Sequence, residues 1–258
     1  MDYECHCVDN NNGQPSAILY HILSRTDNDE PTHNNLNCNL VAHKCHCDTR
    51  RTVCLKTPKE TCQVASGVLV KTIHFMKSLP AFQQLPLKDQ LTLLQNCWAP
   101  LFILGLAQER VSFDVTDTPA PSMLKRILLN HRESHDSDRE QPTLAGVEKI
   151  MSCLKKFWSL DLSPKEYAYL KGTIIFNPDV SDLKASLFIE GLQQEAQHAL
   201  REVVFPLHPE DRGRFARILL TASSLKTITP SLITELFFRP VIGQAHLLDL
   251  LVEMLFTR

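Results

Sequence analysis

Apolar residues recur at every third or fourth position through most of the chain after residue 56. This spacing places them on one face of a helix, so it predicts a series of amphipathic helices. The predicted helices cover about residues 57–79, 85–107, 122–130, 144–160, 187–205, 209–227, 230–239 and 247–256. Residues 111–115 alternate apolar and polar side chains, which is enough for one short strand. The pattern therefore predicts an all-α fold with helices layered around a single core.

Two segments carry the pattern of a capping box with proline at the first helical position: Thr57-Pro58-Lys59-Glu60 and Ser163-Pro164-Lys165-Glu166. In such a box the first hydroxyl and the last carboxylate each accept a hydrogen bond from a backbone N–H of the first turn. We expect a helix to begin at each of them. The helix that contains Pro100 is apolar on nearly all sides, so we expect it to be central, buried and kinked.

Residues 1–56 are predicted to form a flexible N-terminal arm without a DNA-binding domain, and residues 57–258 a folded domain. Residues 9–14 and 24–39 are rich in Asn, Asp and Ser. They hold too few apolar side chains to offset the entropy lost on ordering. Between them lies a short apolar island, which places three side chains on one face of two helical turns: Leu19, Ile22 and Leu23.

The charge balance and the motifs argue against several classes of protein. The 27 basic and 29 acidic residues give a net charge of −2, so the chain lacks the basic excess expected for direct DNA binding. The eight glycines are scattered singly, and no GxSxG or HExxH motif is present, so we expect neither an enzyme nor a cofactor. No apolar run reaches the length of a membrane helix, and no export signal opens the sequence. We therefore expect no membrane association and a nuclear or cytoplasmic protein.

Cysteine and histidine residues cluster near the N-terminus, which leaves a zinc site as an alternative to free thiols. The cluster consists of Cys5, His6, Cys7, Cys38, His43, Cys45, His46, Cys47, Cys54 and Cys62. Zinc modules usually have paired C-x2-C ligands at a fixed separation, whereas the pairs here are C-x-C and are joined by the predicted flexible arm. We expect reduced thiols and no metal.

The block from Val70 to Ala107 carries the most specific pattern in the chain. Its sequence is VKTIHFMKSLPAFQQLPLKDQLTLLQNCWAPLFILGLA, and the defining positions are Lys77, Pro80, Phe82, Leu85, Asp89, Gln90, Leu93, Leu94 and Trp98. This block resembles the signature of nuclear receptor ligand-binding domains. Later segments (KEYAYLKGTIIFNPD, GRFARILL and LFFRPVIG) follow the order of that family's helices. The resemblance covers about residues 57–258 and implies a layered, antiparallel helical sandwich with at most a short β-hairpin.

The resemblance also implies a groove that binds helical coregulator peptides. Two helices lying side by side would form its apolar floor, Lys77 would mark one end, and Glu253 of the last helix would close the other. These two charges would cap the free C=O and N–H groups of a bound helix. Gln95 stands where many family members carry a second basic residue. The residues expected at this groove are Lys77, Leu91, Leu94, Gln95, Leu250 and Glu253.

Two short segments resemble the Leu-x-x-Leu-Leu box by which coactivators dock in receptor grooves. One contains Leu19, Ile22 and Leu23, and the other contains Leu124, Ile127 and Leu128. Each places an apolar pair one helical turn after a leucine, which is the stripe that a shallow groove can bury. For the second segment, ordinary packing of leucines on a helix face is an equally good interpretation. A dimer surface is also expected at Phe215, Ile218 and Leu219.

These patterns favour a transcriptional corepressor. Its boxes would occupy the groove of another nuclear receptor and displace coactivators, while its own surface recruits repressive proteins. The alternative is a receptor that responds to a small lipophilic molecule. Glu109 stands where several acid-binding members carry a ligand-pairing arginine, so that molecule would be uncharged. An enzyme on an all-α scaffold is the least favoured hypothesis.

Overall fold

A computed structural model describes residues 51–118 and 141–257. Two strands pair in this part of the chain, β1 (Val53–Leu55) and β2 (Val115–Asp117). A 3-10 helix covers Ser224–Thr227, and a π-helical turn covers Thr234–Phe238. In chain order the α-helices are α1 (Pro58–Ser78), α2 (Pro80–Gln83), α3 (Leu87–Gln108), α4 (Leu144–Leu160), α5 (Pro164–Ile175), α6 (Ser186–Leu207), α7 (Arg214–Ser223), α8 (Pro230–Ile233), α9 (Arg239–Ile242) and α10 (Leu247–Phe256).

The central element is α3, as its apolar sequence predicted. It packs against α1, α4 and α5, and α5 in turn packs against α6. Every residue from Leu101 to Ala107 is buried. By length and composition alone α3 could cross a membrane, but 67% of its most apolar window is buried inside the fold, as befits a core helix. The predicted all-α layered fold is confirmed.

Helix α1 runs antiparallel to α3 at close range. The thiol of Cys97 lies 3.9 Å from the sulfur of Met76, and Gly105 lies beside Val68 and Thr72. A Cβ atom at position 105 would stand only 2.7 Å from Cγ1 of Val68. The approach of the two helices therefore depends on glycine at this position.

One of the two predicted capping boxes is present. The backbone N–H of Ser163 donates to Glu166 Oε2 over 2.7 Å, and the N–H of Glu166 donates to Ser163 Oγ over 3.3 Å. The box predicted at Thr57 is wrong, because the Thr57 hydroxyl makes no cap. That hydroxyl instead lies 3.3 Å from the Thr61 hydroxyl, although Pro58 does occupy the first turn of α1.

The strand pair differs from the short hairpin that was expected. Strand β2 begins at Val115, where the predicted strand ends, and it pairs antiparallel with β1, with Val53 opposite Asp117. Because β1 lies before residue 57, the folded domain includes residues of the segment assigned to the arm. Val53 and Leu55 are buried, and they belong to one compact unit that spans Arg50–Arg258. The two strands lie about sixty residues apart in the chain, so no local sequence pattern predicts that they pair.

The two helices predicted before the C-terminal one are shorter than expected. Turns occupy most of the stretch between α6 and Arg214, so α7 begins at Arg214 and not at residue 209. The helix predicted over 230–239 is divided into α8, the π-helical turn and α9. The predicted bounds of α4 and α10 match the structure.

Candidate coregulator groove

Two residues of the family-like block fix the start of α3. Asp89 is fully buried, and its carboxylate accepts the backbone N–H of Lys184 over 2.9 and 3.2 Å and that of Ala185 over 2.8 Å. Ala185 precedes α6, so Asp89 connects the beginnings of two helices. Gln90 donates to the carbonyl of Leu85 over 2.9 Å. These hydrogen bonds fix the start of α3 relative to the start of α6 and to the turn that precedes α3.

Lys77 lies in the last turn of α1, half-buried. Its Nζ donates a hydrogen bond to the backbone carbonyl of Thr257, which is the residue that ends α10. Helix α10 packs against α1 and α3. The cation that the sequence placed at one end of a groove therefore caps the chain's own last helix, where free carbonyl groups attract positive charge.

Helix α10 buries a stripe of leucines against the domain. Leu247, Leu251 and Leu255 are spaced four residues apart and are buried, and their half-buried neighbours Met254 and Val252 also pack against the core. This spacing puts the stripe on one face of the helix. The predicted helix thus docks by its apolar face.

The other predicted groove residues are distributed between the core and the surface. Leu94 is fully buried, Leu91 and Leu250 are half-buried, and Gln95 is exposed. Glu253 is exposed and lies one turn before Thr257, so it stands near the end of α10 that Lys77 caps. In this arrangement Lys77 and Glu253 do not stand at opposite ends of an open groove. A clamp formed by these two charges stays a prediction.

One feature of α10 went unnoticed in the sequence although its spacing is visible there. The helix contains a full Leu-x-x-Leu-Leu sequence at 247–251 and a second, overlapping Leu-x-x-Met-Leu sequence at 251–255. The resemblance gives the segment only one role, which is to close one end of a groove through Glu253. Its own pattern is that of a helix that occupies one.

The predicted dimer surface is only partly accessible. Ile218 is fully buried in the core of its own chain, while Phe215 and Leu219 are half-buried against that core. Leu220 is the exposed apolar residue of the same helix, with 70% of its surface accessible. Ile218 therefore offers no surface to a second molecule, and a role for Phe215 and Leu219 stays a prediction.

Both receptor-binding boxes lie outside the described residues, as does the helix predicted at 122–130. The same holds for most of the cysteine and histidine cluster. Of that cluster the structure describes Cys54 and Cys62, and burial raises the pKa of the Cys62 thiol. Within residues 51–118 and 141–257, no group of His, Cys, Asp or Glu side chains is arranged to hold a metal ion.

Aromatic rings fill the interior between α3 and the π-helical turn. The ring of Phe102 lies edge-on to Phe237 and Phe238, with centroids 5.5 and 5.2 Å apart, and Phe113 lies 5.0 Å from Phe237. Such packing supplies large apolar contact area and a fixed geometry.

A cavity of about 440 Å³ lies elsewhere, between α3, α5, α6 and α7. Its wall includes Asn96 and Pro100, and because Pro100 has no N–H, the carbonyl of Asn96 lacks its usual helical partner. Glu109, which the sequence suggested would face a ligand, is exposed and accepts a hydrogen bond from Lys71 over 2.6 Å. The carboxylate thus faces a surface lysine, and the expectation that a ligand would be uncharged stays a prediction.

Comparison with known proteins agrees with this architecture. The ligand-binding domain of nuclear hormone receptors matches residues 55–242. The chain therefore belongs to that family, as its sequence pattern indicated. It is similar to "Nuclear receptor subfamily 0 group B member 2" of Homo sapiens and of Rattus norvegicus, with 49% identity over 94% of this chain and 93% of each relative. It is 42% identical to "Nuclear receptor subfamily 0 group B member 1" of Macaca mulatta, over 81% of this chain and 48% of that relative.

The comparisons identify the chain as a member of the nuclear receptor family, which supports the predicted role in the regulation and repression of transcription. The group B relatives support the corepressor prediction over the ligand-responsive alternative. Membership is also consistent with a nuclear location and with binding to other nuclear receptors.

Proposed function

We propose that the protein binds active nuclear receptors through its two Leu-x-x-Ile-Leu boxes, displaces coactivators and brings repressive proteins to the complex. It acts in the nucleus and also in the cytoplasm, catalyses no reaction and does not contact DNA. The observation that carries this proposal is similarity to group B nuclear receptors along nearly the whole chain. The near-neutral charge supports action through a receptor that is already on DNA.

The boxes have the chemistry that a receptor groove selects. In a helical conformation Leu19, Ile22 and Leu23 would present one apolar stripe. Three buried aliphatic side chains contribute about 2 kcal/mol each. Two charge-assisted caps at the helix ends add about 2 kcal/mol each, while association and the ordering of the segment cost several kcal/mol. The net affinity is in the micromolar range or weaker. Affinity of this order lets the box compete with coactivators that use the same motif.

A competition experiment tests the first box. The full chain is titrated into an agonist-loaded receptor ligand-binding domain that holds a labelled Leu-x-x-Leu-Leu peptide. Displacement of the peptide is expected for the unmodified chain, and Leu19→Ala combined with Leu23→Ala should weaken it about a hundredfold, as the loss of two anchors implies. His21→Ala is the matched control, because His21 lies in the same box but off the apolar stripe.

The same competition assay tests the second box. Leu124→Ala combined with Leu128→Ala should weaken displacement if this segment docks, and Lys125→Ala should not. Loss of folding in the leucine variant, seen by circular dichroism, would assign these residues to ordinary packing. Binding that survives in both leucine variants without displacing the peptide would contradict the groove-blocking mechanism.

The corepressor should work without a small-molecule ligand. The rings of Phe102, Phe237 and Phe238 fill the interior on one side of α3, and the cavity of about 440 Å³ between α3, α5, α6 and α7 is the place where a small molecule would have to bind. Native mass spectrometry of chain incubated with a lipid extract is the check. A retained small molecule that alters receptor binding would favour the ligand-responsive alternative.

A further inference from the structure

The cavity between α3, α5, α6 and α7 lies apart from the predicted coregulator groove. Its volume of about 440 Å³ falls within the range of small-molecule sites, which is about 300–1,000 Å³. The described side chains that line it include none of the predicted groove residues and none of the rings packed around Phe102. Leu219, which was expected at a dimer surface, is one of them. A molecule bound here would leave both the groove and the aromatic interior untouched.

The inner part of the cavity is apolar. Leu219 and Ala222 of α7 contribute half-buried apolar surface. Apart from Thr173, the buried residues of the lining are also apolar, namely Leu93, Cys97, Ala99, Ile175, Leu225 and Ile228. Burial raises the pKa of the Cys97 thiol, so this cysteine stays protonated and acts as a small apolar side chain. Such a lining favours the apolar body of a ligand, which gains free energy on leaving water.

Two glutamines of α6 supply polar groups to the cavity. Gln193 and Gln197 are half-buried and four residues apart, so they lie on the same side of the helix. Gln193 Nε2 donates to the carbonyl of Thr173 over 3.0 Å, whereas the amide of Gln197 has no hydrogen-bond partner in the part of the chain that the structure describes. Asn96 adds a further acceptor, because Pro100 leaves its carbonyl without a helical donor. A side-chain amide both donates and accepts, as a hydroxyl group does, so Gln197 fits a hydroxylated ligand.

Two charged side chains of opposite sign line the cavity where it meets the surface. Lys226 and Asp179 are both exposed, and neither forms an ion pair within residues 51–118 and 141–257. An anionic head group would be repelled by Asp179, and a cationic one by Lys226. The lining therefore favours an uncharged polar group.

We propose that this cavity binds an uncharged amphipathic molecule. Its apolar body contacts the buried side chains of α3 and of the segment after α7, and its hydroxyl group hydrogen-bonds to the amide of Gln197. Because such a molecule contacts four helices and binds only the folded chain, it stabilises the domain. Receptor binding through the boxes does not require this ligand, so the inference is independent of the proposed function.

The binding test uses the full chain and three probes that share one hydrocarbon chain: decan-1-ol, decanoate and decylammonium. Each is titrated below its micelle-forming concentration, and isothermal titration calorimetry gives its dissociation constant. We expect decan-1-ol to bind saturably at a single site and to raise the melting temperature of the chain. Absence of saturable decan-1-ol binding would overturn the proposal.

Charge variants test the preference for an uncharged head group. Asp179→Asn leaves Lys226 as the charge nearest the ligand among the described lining residues, so decanoate should bind about threefold tighter or more, while decan-1-ol stays within about twofold. Lys226→Gln should have the same effect on decylammonium. Asp249→Asn, at an exposed site outside the cavity, is the control and should change neither. Unchanged affinity of both ions for their variants would overturn the proposed selection.

A filled cavity locates the bound probe. Ala222→Phe places a ring where the apolar body would lie, and we expect decan-1-ol binding to weaken at least about tenfold. Leu220→Phe is the matched control, because Leu220 is an exposed residue of the same helix that does not line the cavity. Circular dichroism checks that both variants fold.

The hydrogen bond to the head group is tested without filling space. Gln197→Leu keeps the size of the side chain and removes its amide, so decan-1-ol should bind about tenfold more weakly. Gln194→Leu is the matched control, since Gln194 is an exposed residue of α6 that donates to Glu190 over 3.2 Å. Should Ala222→Phe fail to fold, this pair decides the location by itself. Equal binding by Gln197→Leu and the unmodified chain would place the probe elsewhere and overturn the proposal.

Discussion

Arg214 and Glu166 form an ion pair that is almost completely buried and bonded at two points. Arg214 Nε donates to Glu166 Oε1 over 2.9 Å, and Nη2 donates to Oε2 over 3.1 Å. The side chains retain 7% and 0% of their accessible surface. Arg214 Nη1 also donates to the carbonyl of Leu160 over 2.8 Å. One guanidinium thus joins the start of α7 to the start of α5 and the end of α4.

Breaking this ion pair should remove a large part of the free energy that stabilises the folded domain. Arg214→Met leaves the Glu166 carboxylate buried and uncompensated, so we expect the free energy of unfolding in urea to fall by about 3–5 kcal/mol. Arg217→Met is the matched control, because Arg217 pairs with Asp211 on the surface, where such a pair is worth about 0–1 kcal/mol. Similar losses in the two variants would contradict the structural role assigned to Arg214.

The same pair predicts a loss of stability in acid. Burial by itself would raise the pKa of the Glu166 carboxyl, but the hydrogen bonds and charge of Arg214 and the hydrogen bonds with Ser163 outweigh it and lower the pKa below the ordinary 4.5. A group with a lowered folded pKa stabilises the fold above its unfolded pKa, and that contribution is lost as the pH falls through the folded value. Between about pH 7 and about pH 3, the unmodified chain should therefore lose more unfolding free energy than Glu166→Gln. An equal loss in both would show that Glu166 is not the group responsible.

Asp89→Asn should weaken the connection between α3 and the segment before α6. The carboxylate accepts the N–H groups of Lys184 and Ala185, and an amide would have to turn an NH2 group toward one of them or lose a bond. We expect the free energy of unfolding to fall by about 1–3 kcal/mol, measured by urea titration. Asp114→Asn, at an exposed site, should change it by less than about 0.5 kcal/mol.

Gly105→Ala should destabilise the domain although alanine favours helices. The new Cβ would stand 2.7 Å from Cγ1 of Val68, a buried β-branched side chain that has little freedom to move. Overpacking costs about 1–3 kcal/mol, more than the gain of about 1 kcal/mol in helix propensity. The check is the melting temperature. Adding Gly105→Ala to a Val68→Ala background should cost less than adding it to the unmodified chain, and an equal cost would refute the contact as the cause.

Much of the fold could be predicted from the sequence because the patterns that define its helices are local. The bounds of α4 and α10 follow from the spacing of apolar residues, and the Ser163 capping box follows from four adjacent residues. The Thr57 box has the same sequence logic and fails, because the Thr57 hydroxyl approaches Thr61 and caps no N–H. The four residues of a capping box therefore predict a cap, but the backbone conformation at the start of the helix decides whether the cap forms.

Placement of the candidate site depended on contacts between distant segments. The sequence identified Lys77 and the amphipathic last helix, but not that one caps the other across 180 positions. The sequence-based expectation of a dimer surface included Ile218. The fold turns that side chain fully into the core and leaves the neighbouring Leu220 exposed.

The sequence by itself determined the helical class and the family, because periodicity and motif spacing are properties of neighbouring positions. Only the tertiary structure decided the pairing of β1 with β2, the filling of the interior by Phe102 and Phe237, and the docking of α10 at Lys77. Each of these joins residues far apart in the chain, and the free energy that selects them comes from burial and hydrogen bonds formed after the helices meet.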